Sequence, residues 1–509
     1  MREAGILMPM FSIPSKFGLG CFSQEAYEFV DFLEKSAQGY WQVLPFGPTG
    51  FGDSPYQPIS AFAGNPYFIS PETLIKENLL TWDDCYSYDF GHDEEKVDYG
   101  AMYNNRLKLL KRAYYRFKQA IERDKLAGNQ YYEFIEKQAY WLEDYALYRV
   151  IKDINNGKAW YQWDDDLKKR DKKALKNILN EHYEAIDTIY FQQYLFQKQW
   201  DALHAYANER AIKIIGDIPF YVSLDSVDVW AHPEAFLMDK EFNPTYVAGC
   251  APDAFSKTGQ LWGNPIYNWK GLKKDDYAWW MKRIERNYEL YDVIRFDHFY
   301  GFASYYAIPY GDKDATKGEW NKGPGMDFFK ELKKRFGKPQ MIAEDLGEVT
   351  PEKEALLEES GIPGMNVLQF AFTSWNSKYL NHRHEKNSVV YTGTHDNPTT
   401  RAWMDEISEG HLSFARRYIN SNNNDAGAFV WDFIREAYHS SAKLCIIPLQ
   451  DYLVKGNEAR INTPGVATEN WQWRLKPHFL SDALAYSIHE LVSTYSRMPA
   501  NTTDKELLK

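Results

Sequence analysis

Eight short apolar runs, each bounded by turn-forming or charged residues, constrain the fold of this chain more than any other feature of its 509 residues. Their apolarity is continuous instead of alternating, which is typical of strands buried on both faces, as in a parallel sheet covered by helices. The predicted strands are Tyr40–Phe46, Pro66–Ser70, Ile212–Ile218, Asp292–His298, Gln340–Leu346, Met365–Ala371, Ser388–Thr394 and Lys443–Leu449. Eight such strands predict an eightfold β/α barrel.

A helix signal lies between the fifth and sixth runs. Thr350 can cap the helix, Pro351 suits its first turn, and Gly361 can end it. This segment forms a compact strand–helix–strand unit, the repeating element of α/β folds. The sequence therefore predicts a (β/α)8 TIM barrel.

The spacing of the runs predicts insertions in this barrel. A barrel alone needs about 250 residues, and in the long gap after the second run apolar residues recur at helical spacing, for example Leu107, Leu110, Tyr114 and Phe117. The predicted division is 1–70 for the first part of the barrel, 71–208 for a mainly helical insertion, 209–218 for a barrel strand, 219–291 for a loop-rich insertion, and 292–509 for the remainder.

Composition and charge exclude several classes of partner. The net charge of -12 argues against nucleic acid, whose binding proteins carry basic patches. No segment reaches the roughly 18 apolar residues of a membrane span, and the N-terminal residues lack the apolar core of a signal peptide. The cysteines are far apart and form neither a zinc motif nor a disulfide framework. They are Cys21, Cys85, Cys250 and Cys445. We expect a cytoplasmic protein without a membrane partner.

Aromatic residues make up 17% of the chain, with 17 Trp and 37 Tyr. A hydrophobic core can absorb many of them. Trp and Tyr also combine an apolar face with a polar tip, and a sugar ring presents the same combination. Carbohydrate is therefore the first ligand class to consider.

Charged residues gather where the predicted strands end. Active sites of barrels are built at the C-terminal ends of the strands. The charged residues at these ends are Asp217, Arg295, Asp297, His298, Glu344, Asp345, His395 and Asp396. Three carboxylates from three strands, those of Asp297, Glu344 and Asp396, are expected to converge on one mouth.

Paired carboxylates cleave glycosidic bonds, one as nucleophile or base and the other as proton donor to the leaving oxygen. Arg295 stands two residues before Asp297, so both side chains are expected on the same side of the strand, where the arginine charge would favour a nucleophilic carboxylate. Two other interpretations remain open. A single Arg-x-Asp is often a structural salt bridge, and the His and Asp residues are also common metal ligands, although no specific metal-ligand spacing is present.

The motifs around these residues resemble those of the amylomaltases, also called disproportionating enzymes or 4-alpha-glucanotransferases, of the alpha-amylase clan. The resemblance spans nearly the whole chain. The matching motifs are GPTGFGDSPYQPISAFAGNPYFIS from Gly47, GDIPFYVSLDSVDVW from Gly216, SKTGQLWGNPIYNW from Ser256, RFDHFYGF from Arg295, IAEDLG from Ile342, YTGTHDN from Tyr391 and ARINTPG from Ala459.

The resemblance implies a retaining transglycosylase. No motif in the sequence calls for a metal or an organic cofactor. By motif position Asp297 would be the nucleophile, Glu344 the general acid/base, and Asp396 the third carboxylate, which supports the oxocarbenium-like transition state. Residues 219–291 would cover the cleft. The implied substrate-binding residues are Arg295, His395, Asp217, Tyr56, Asp253, Gln260, Trp262 and Asn462.

Two departures from the family pattern concern acceptor preference and loop behaviour. Tyr300 stands where many relatives are expected to have a basic residue, and the stretch from Gly249 to Phe255 replaces a double-proline form. The leading hypothesis is a 4-alpha-glucanotransferase acting on maltooligosaccharides and linear glucans. The alternatives are an alpha-glucan hydrolase with the same carboxylates and a non-catalytic glucan-binding barrel.

Overall fold

A central parallel sheet organises the computed structural model, which describes residues 2–50, 52–252 and 256–499. The described strands in chain order are β1 (Glu3–Leu7), β2 (Tyr40–Gln42), β3 (Lys213–Ile218), β4 (Tyr246–Cys250), β5 (Gln260–Pro265), β6 (Val293–Phe296), β7 (Ser304–Pro309), β8 (Glu319–Lys322), β9 (Met341–Ala343), β10 (Gly364–Val367), β11 (Ser388–Tyr391) and β12 (Leu444–Pro448).

The eight strands of the central sheet run in the order β10-β11-β12-β1-β2-β3-β6-β9, and all neighbours are parallel. The last and first strands of this order also approach each other, since the Ala343 amide donates to the Pro363 carbonyl at 2.9 Å. The sheet is therefore a nearly closed barrel, and the predicted (β/α)8 fold class is confirmed.

Helices surround the barrel and fill the segments between its strands. The described helices are α1 (Gln24–Lys35), α2 (Pro71–Lys76), α3 (Trp82–Tyr86), α4 (Tyr99–Ile121), α5 (Lys125–Lys137), α6 (Ala139–Ile154), α7 (Asp165–Lys168), α8 (Lys172–Glu181), α9 (Tyr183–Glu209), α10 (Val227–Ala231), α11 (Trp269–Lys274), α12 (Ala278–Leu290), α13 (Met326–Phe336), α14 (Pro351–Ser360), α15 (Thr400–Glu406), α16 (Glu409–Tyr418), α17 (Ala426–His439), α18 (Leu449–Tyr452) and α19 (Asp482–Thr494). None of these helices, within the described ranges, is long and apolar enough to cross a membrane.

The chain between β2 and β3 forms α2 to α9, and the segment 219–291 contains β4 and β5. These two strands join β7 and β8 in a four-stranded antiparallel sheet of order β5-β4-β7-β8. Sequence reasoning did not identify this second sheet. The division into inserted segments stays a prediction.

The predicted strand Pro66–Ser70 is wrong. Residues Pro66–Phe68 form a short 3-10 helix, because the Asn65 side chain accepts from the Tyr67 amide and proline has no N–H to donate to a neighbouring strand. Ser70 then caps α2. The eighth barrel strand is instead β1, which pairs with both β12 and β2.

The short apolar run of β1 contains Gly5, which weakens a strand signal. A Cβ at this position would lie 2.6 Å from both the Cβ and the carbonyl oxygen of Tyr40 on β2. Close packing between the two strands therefore requires glycine. The helix predicted after Thr350 is confirmed, because Thr350 accepts from the Lys353 amide and Gly361 has a φ of 67°.

Candidate active site

Arg295 holds two carboxylates at the C-terminal ends of neighbouring strands. Its Nη1 donates to Asp217 Oδ2 on β3 at 2.6 Å and to Asp297 Oδ1, just after β6, at 3.2 Å. The predicted shared orientation of Arg295 and Asp297 is confirmed. Asp217 and Arg295 are buried, whereas the Asp297 side chain is partly exposed. Asp297 therefore lies at the mouth of the barrel, in contact with a buried ion pair.

Burial and neighbouring charges act in opposite directions on the ion pair of Asp217 and Arg295. Burial raises the pKa of the Asp217 carboxyl, and the Arg295 charge opposes that rise. Burial acts to lower the pKa of Arg295, but the charges of Asp217, Tyr56 and Asp297 together raise it well above its usual range. Arg295 therefore remains a cation beside Asp297 at any working pH.

Glu344 follows β9 and is held by two backbone amides. The His298 amide donates to Oε2 at 2.8 Å and the Leu346 amide to Oε1 at 2.9 Å. His298 reaches this position through a left-handed backbone with a φ of 49°, which is uncommon outside glycine. The strained turn that follows Asp297 thus orients the Glu344 carboxyl.

The Glu344 carboxyl retains its proton at a higher pH than an ordinary glutamate does. Burial and then the negative charge of Asp297 raise its pKa, whereas Arg295 and the two amides act against the rise. Asp297 lies in a different environment, since it is partly exposed and paired with a guanidinium. Two carboxyl groups with opposed environments are the arrangement that divides acid and nucleophile roles.

Asp396 follows β11 and is anchored from two sides. Asn462 Nδ2 donates to its Oδ1 at 2.6 Å, and His395 Nε2 lies 3.3 Å from the same oxygen. Burial lowers the pKa of the His395 imidazole. The histidine is buried while the Asp396 carboxylate is half-exposed, so two partners fix the carboxylate and part of it stays open to solvent.

Tyr56 contacts both Asp217 on β3 and His395, which follows β11. Its hydroxyl donates to Asp217 Oδ2 at 2.8 Å, and its ring stacks on the His395 ring with centroids 5.0 Å apart. Trp471, which sequence reasoning missed, packs 5.8 Å from Tyr56 and 6.0 Å from His395. It follows no strand, so only its aromatic character could have signalled it.

Gln260 and Trp262 lie on β5 of the second sheet. Trp262 Nε1 donates to Gln260 Oε1 at 3.0 Å, and the Trp262 ring meets the His298 ring at 90° with centroids 5.4 Å apart. Trp262 therefore borders the turn that carries Asp297. The remaining predicted residue, Asp253, lies outside the described residues.

Tyr300, the departure from the expected basic residue, is buried beside this turn. The Lys353 ammonium lies 5.5 Å from the centre of its ring. A cation is therefore present near this position, but it comes from α14 instead of the strand-end motif.

The arrangement supplies a carboxylate with a guanidinium partner, a protonatable carboxyl and a third carboxylate around one mouth. Within residues 2–50, 52–252 and 256–499, no group of three or more His, Cys, Asp or Glu residues could hold a metal ion. These elements fit glycosidic bond cleavage by paired carboxylates.

Comparison with known proteins agrees with this chemistry. A family model described as 4-alpha-glucanotransferase matches residues 8–481. A 4-alpha-glucanotransferase of Clostridium butyricum is 44% identical over 493 residues, covering 96% of this chain and 100% of the relative. One from Aquifex aeolicus is 42% identical over 483 residues, covering 94% and 96%.

A solved structure, the amylomaltase from Streptococcus agalactiae in complex with acarbose, superposes with a TM-score of 0.94 at 37% identity. The match covers 98% of this chain and 100% of that one. Family, sequence relatives and structure agree over nearly the full length. The chain therefore belongs to the 4-alpha-glucanotransferase family of enzymes, the amylomaltases.

Proposed function

We propose that Asp297 is the nucleophile and Glu344 the general acid/base of the family reaction, which moves α-1,4-glucan segments with retention of configuration. The observation that carries this assignment is the contrast between the two carboxyl groups. Asp297 is paired with a buried guanidinium, and Glu344 is buried with a raised pKa. A paired carboxylate suits attack, and a protonated carboxyl suits proton donation.

In the first step Glu344 donates its proton to the glycosidic oxygen while an Asp297 oxygen attacks the anomeric carbon. The bond from the anomeric carbon to the glycosidic oxygen breaks, and the reducing-end glucan leaves with the proton. The donor segment stays on Asp297 as a covalent ester. Arg295 Nη1 lies 3.2 Å from Asp297 Oδ1 and holds this carboxylate in place for the attack.

In the second step the Glu344 carboxylate accepts the proton of the 4-hydroxyl of another glucan, which attacks the anomeric carbon and releases Asp297. Configuration is retained because two inversions occur. An acceptor glucan must compete with water here, so walls that bind sugar and exclude water favour transfer. Trp262 on the second sheet would contribute such a wall.

The other site residues are proposed to hold sugar hydroxyls. Asp396 has a half-exposed carboxylate that Asn462 and His395 fix in place, which suits hydrogen bonds that strengthen as the sugar ring distorts. Tyr56 and Asp217 would shape the same subsite from behind. Gln260 would contact glucan at the cleft rim, and Asp253 joins this group through the motif alone.

The proposed substrates are maltooligosaccharides and linear α-1,4-glucans, which are neutral. We also propose a cytoplasmic location, supported by the four widely separated cysteines, which form no paired motif.

Maltotriose tests the proposed reaction directly. Without added cofactor, the enzyme is expected to convert it to glucose and a ladder of longer maltooligosaccharides while the number of reducing ends stays nearly constant. Chromatography of chain lengths, with a reducing-end assay alongside, measures both. A rise in reducing ends without longer chains would indicate the hydrolase, and binding without turnover would indicate the non-catalytic barrel.

The raised pKa of Glu344 predicts the pH dependence of the first step. Glu344 must be protonated to act as the acid, so the rate is expected to fall only as pH rises through its raised pKa, above the range of an ordinary glutamate. The pH profile of kcat/KM for maltotriose disproportionation, which reports the ionisations of the free enzyme, checks this expectation. A decline centred near the ordinary glutamate value of 4.5 would contradict the assignment.

A further inference from the structure

Trp82 and Tyr86, at the two ends of α3, expose large aromatic rings to solvent. Their exposed fractions are 43% and 69%. The ring centroids are 5.8 Å apart with planes 22° from parallel, and both lie 6.3 Å from the buried Phe17 ring. Phe17 therefore supports both rings, which form one aromatic surface. Exposed apolar surface of this kind often marks a binding site.

Polar groups border this aromatic surface. The Lys16 ammonium lies 5.7 Å from the centre of the Trp82 ring and donates to Glu72 Oε1 at 2.8 Å. Flat aromatic faces beside a charged donor and acceptor suit a ligand with an apolar ring face and hydroxyls at its edge, and a glucose unit has both.

A groove of about 850 Å³ continues from Lys16 along the solvent side of α1. Its size lies in the range of ligand-binding clefts. Arg474 in its wall is 4% exposed and donates to the Ser15 carbonyl at 2.6 Å and the Asp93 carbonyl at 3.3 Å. Arg474 thus links two walls, so the groove is already formed without a ligand. Its Nε has no hydrogen-bond partner among the described residues.

The charges along the groove are mixed. The acidic residues are Glu25, Glu28, Asp31, Asp93, Glu94 and Asp482, and the basic residues are Lys16, Lys35, Arg474 and Lys476. Interspersed charges of both signs do not attract a strongly charged polymer. They do offer many donors and acceptors to a neutral polymer rich in hydroxyls.

We propose that Trp82, Tyr86 and this groove form a second binding site for an α-1,4-glucan chain, outside the catalytic centre. The choice of glucan rests on the proposed function. The groove follows the outer side of α1, whereas Tyr56, Asp217 and Arg295 lie at the barrel mouth. The second site holds long chains near the enzyme and leaves short substrates unaffected.

Replacing both rings, Trp82→Ala with Tyr86→Ala, tests this site in the full chain. Retardation of the native protein in gels containing soluble amylose is expected to weaken, with the apparent affinity falling about five- to tenfold. Maltotriose disproportionation is expected to stay within about twofold of the parent. The matched control is Tyr132→Ala with Tyr183→Ala, which removes rings that are 55% and 61% exposed on other helices and should leave retardation unchanged.

Unchanged retardation of the Trp82/Tyr86 variant, or an equal loss in the control, would overturn the second site. If the double variant also loses maltotriose activity, then it is misfolded. The single variant Tyr86→Ser then tests the second site, because the Tyr86 ring is the more exposed of the two. That variant should bind amylose about threefold more weakly, and parental binding would overturn the proposal. A parent protein that is retarded by amylose but inactive on maltotriose would contradict the proposed function while leaving this site supported.

Discussion

Replacing Asp297 by asparagine is expected to lower the rate of maltotriose disproportionation by at least about 10⁴-fold, because no oxygen anion remains to form the covalent intermediate. The fold should persist. Arg295 retains its 2.6 Å contact with Asp217, so the buried guanidinium is not left without a carboxylate. Initial rates from chromatography and the melting temperature measure the two expectations.

Asp405→Asn is the matched control for this variant, because Asp405 is an exposed aspartate paired with Arg401 on α15. It should keep parental activity. Retention of disproportionation by Asp297→Asn with a normal melting temperature would remove Asp297 from the nucleophile role. If Asp297→Asn is inactive and also melts at a much lower temperature, then Asp297 serves in a structural salt bridge.

Replacing Glu344 by glutamine is expected to slow disproportionation of maltotriose by about 10³-fold, since the amide can neither donate a proton to the leaving oxygen nor accept one from the acceptor. α-Maltosyl fluoride separates the two steps. Fluoride leaves without protonation, so Asp297 can still be glycosylated, whereas the second step still lacks its base. The covalent intermediate should therefore accumulate, and the protein mass should rise by one maltosyl group.

Peptide mapping is expected to locate that maltosyl group on Asp297. α-Maltosyl fluoride should label neither Asp297→Asn nor the double variant Asp297→Asn with Glu344→Gln. Glu358→Gln, an exposed glutamate on α14, is the control and should turn over without accumulating the adduct. If Glu344→Gln disproportionates maltotriose at the parental rate, another residue must be the acid.

Seven of the eight barrel strands could be predicted from local pattern, because a strand covered on both faces needs a continuous apolar run. The exception shows the limit of that signal. Pro66–Ser70 is apolar, yet Asn65 and Pro66 start a 3-10 helix there. β1 has a weaker signal and is a strand because β2 and β12 lie on either side of it.

The antiparallel sheet of β4, β5, β7 and β8 could not be predicted in the same way. β8 is exposed along its whole length, and β5 buries only its last two residues. Neither has the apolar run that identified the barrel strands. They are strands because β5 pairs with β4 and β8 pairs with β7. A local sequence pattern does not reveal pairing between distant segments.

The sequence by itself determined which residues stand at the strand ends, since polarity and strand period are local properties of the chain. Asp297, Glu344 and Asp396 could therefore be identified together with the family motifs. Only the tertiary structure decided their environments. Tyr56 reaches Asp217 across 161 positions and Arg295 reaches it across 78, and burial with the Asp297 charge raises the pKa of Glu344. Protonation depends on desolvation and on charges through space, which distant parts of the chain create only when folded.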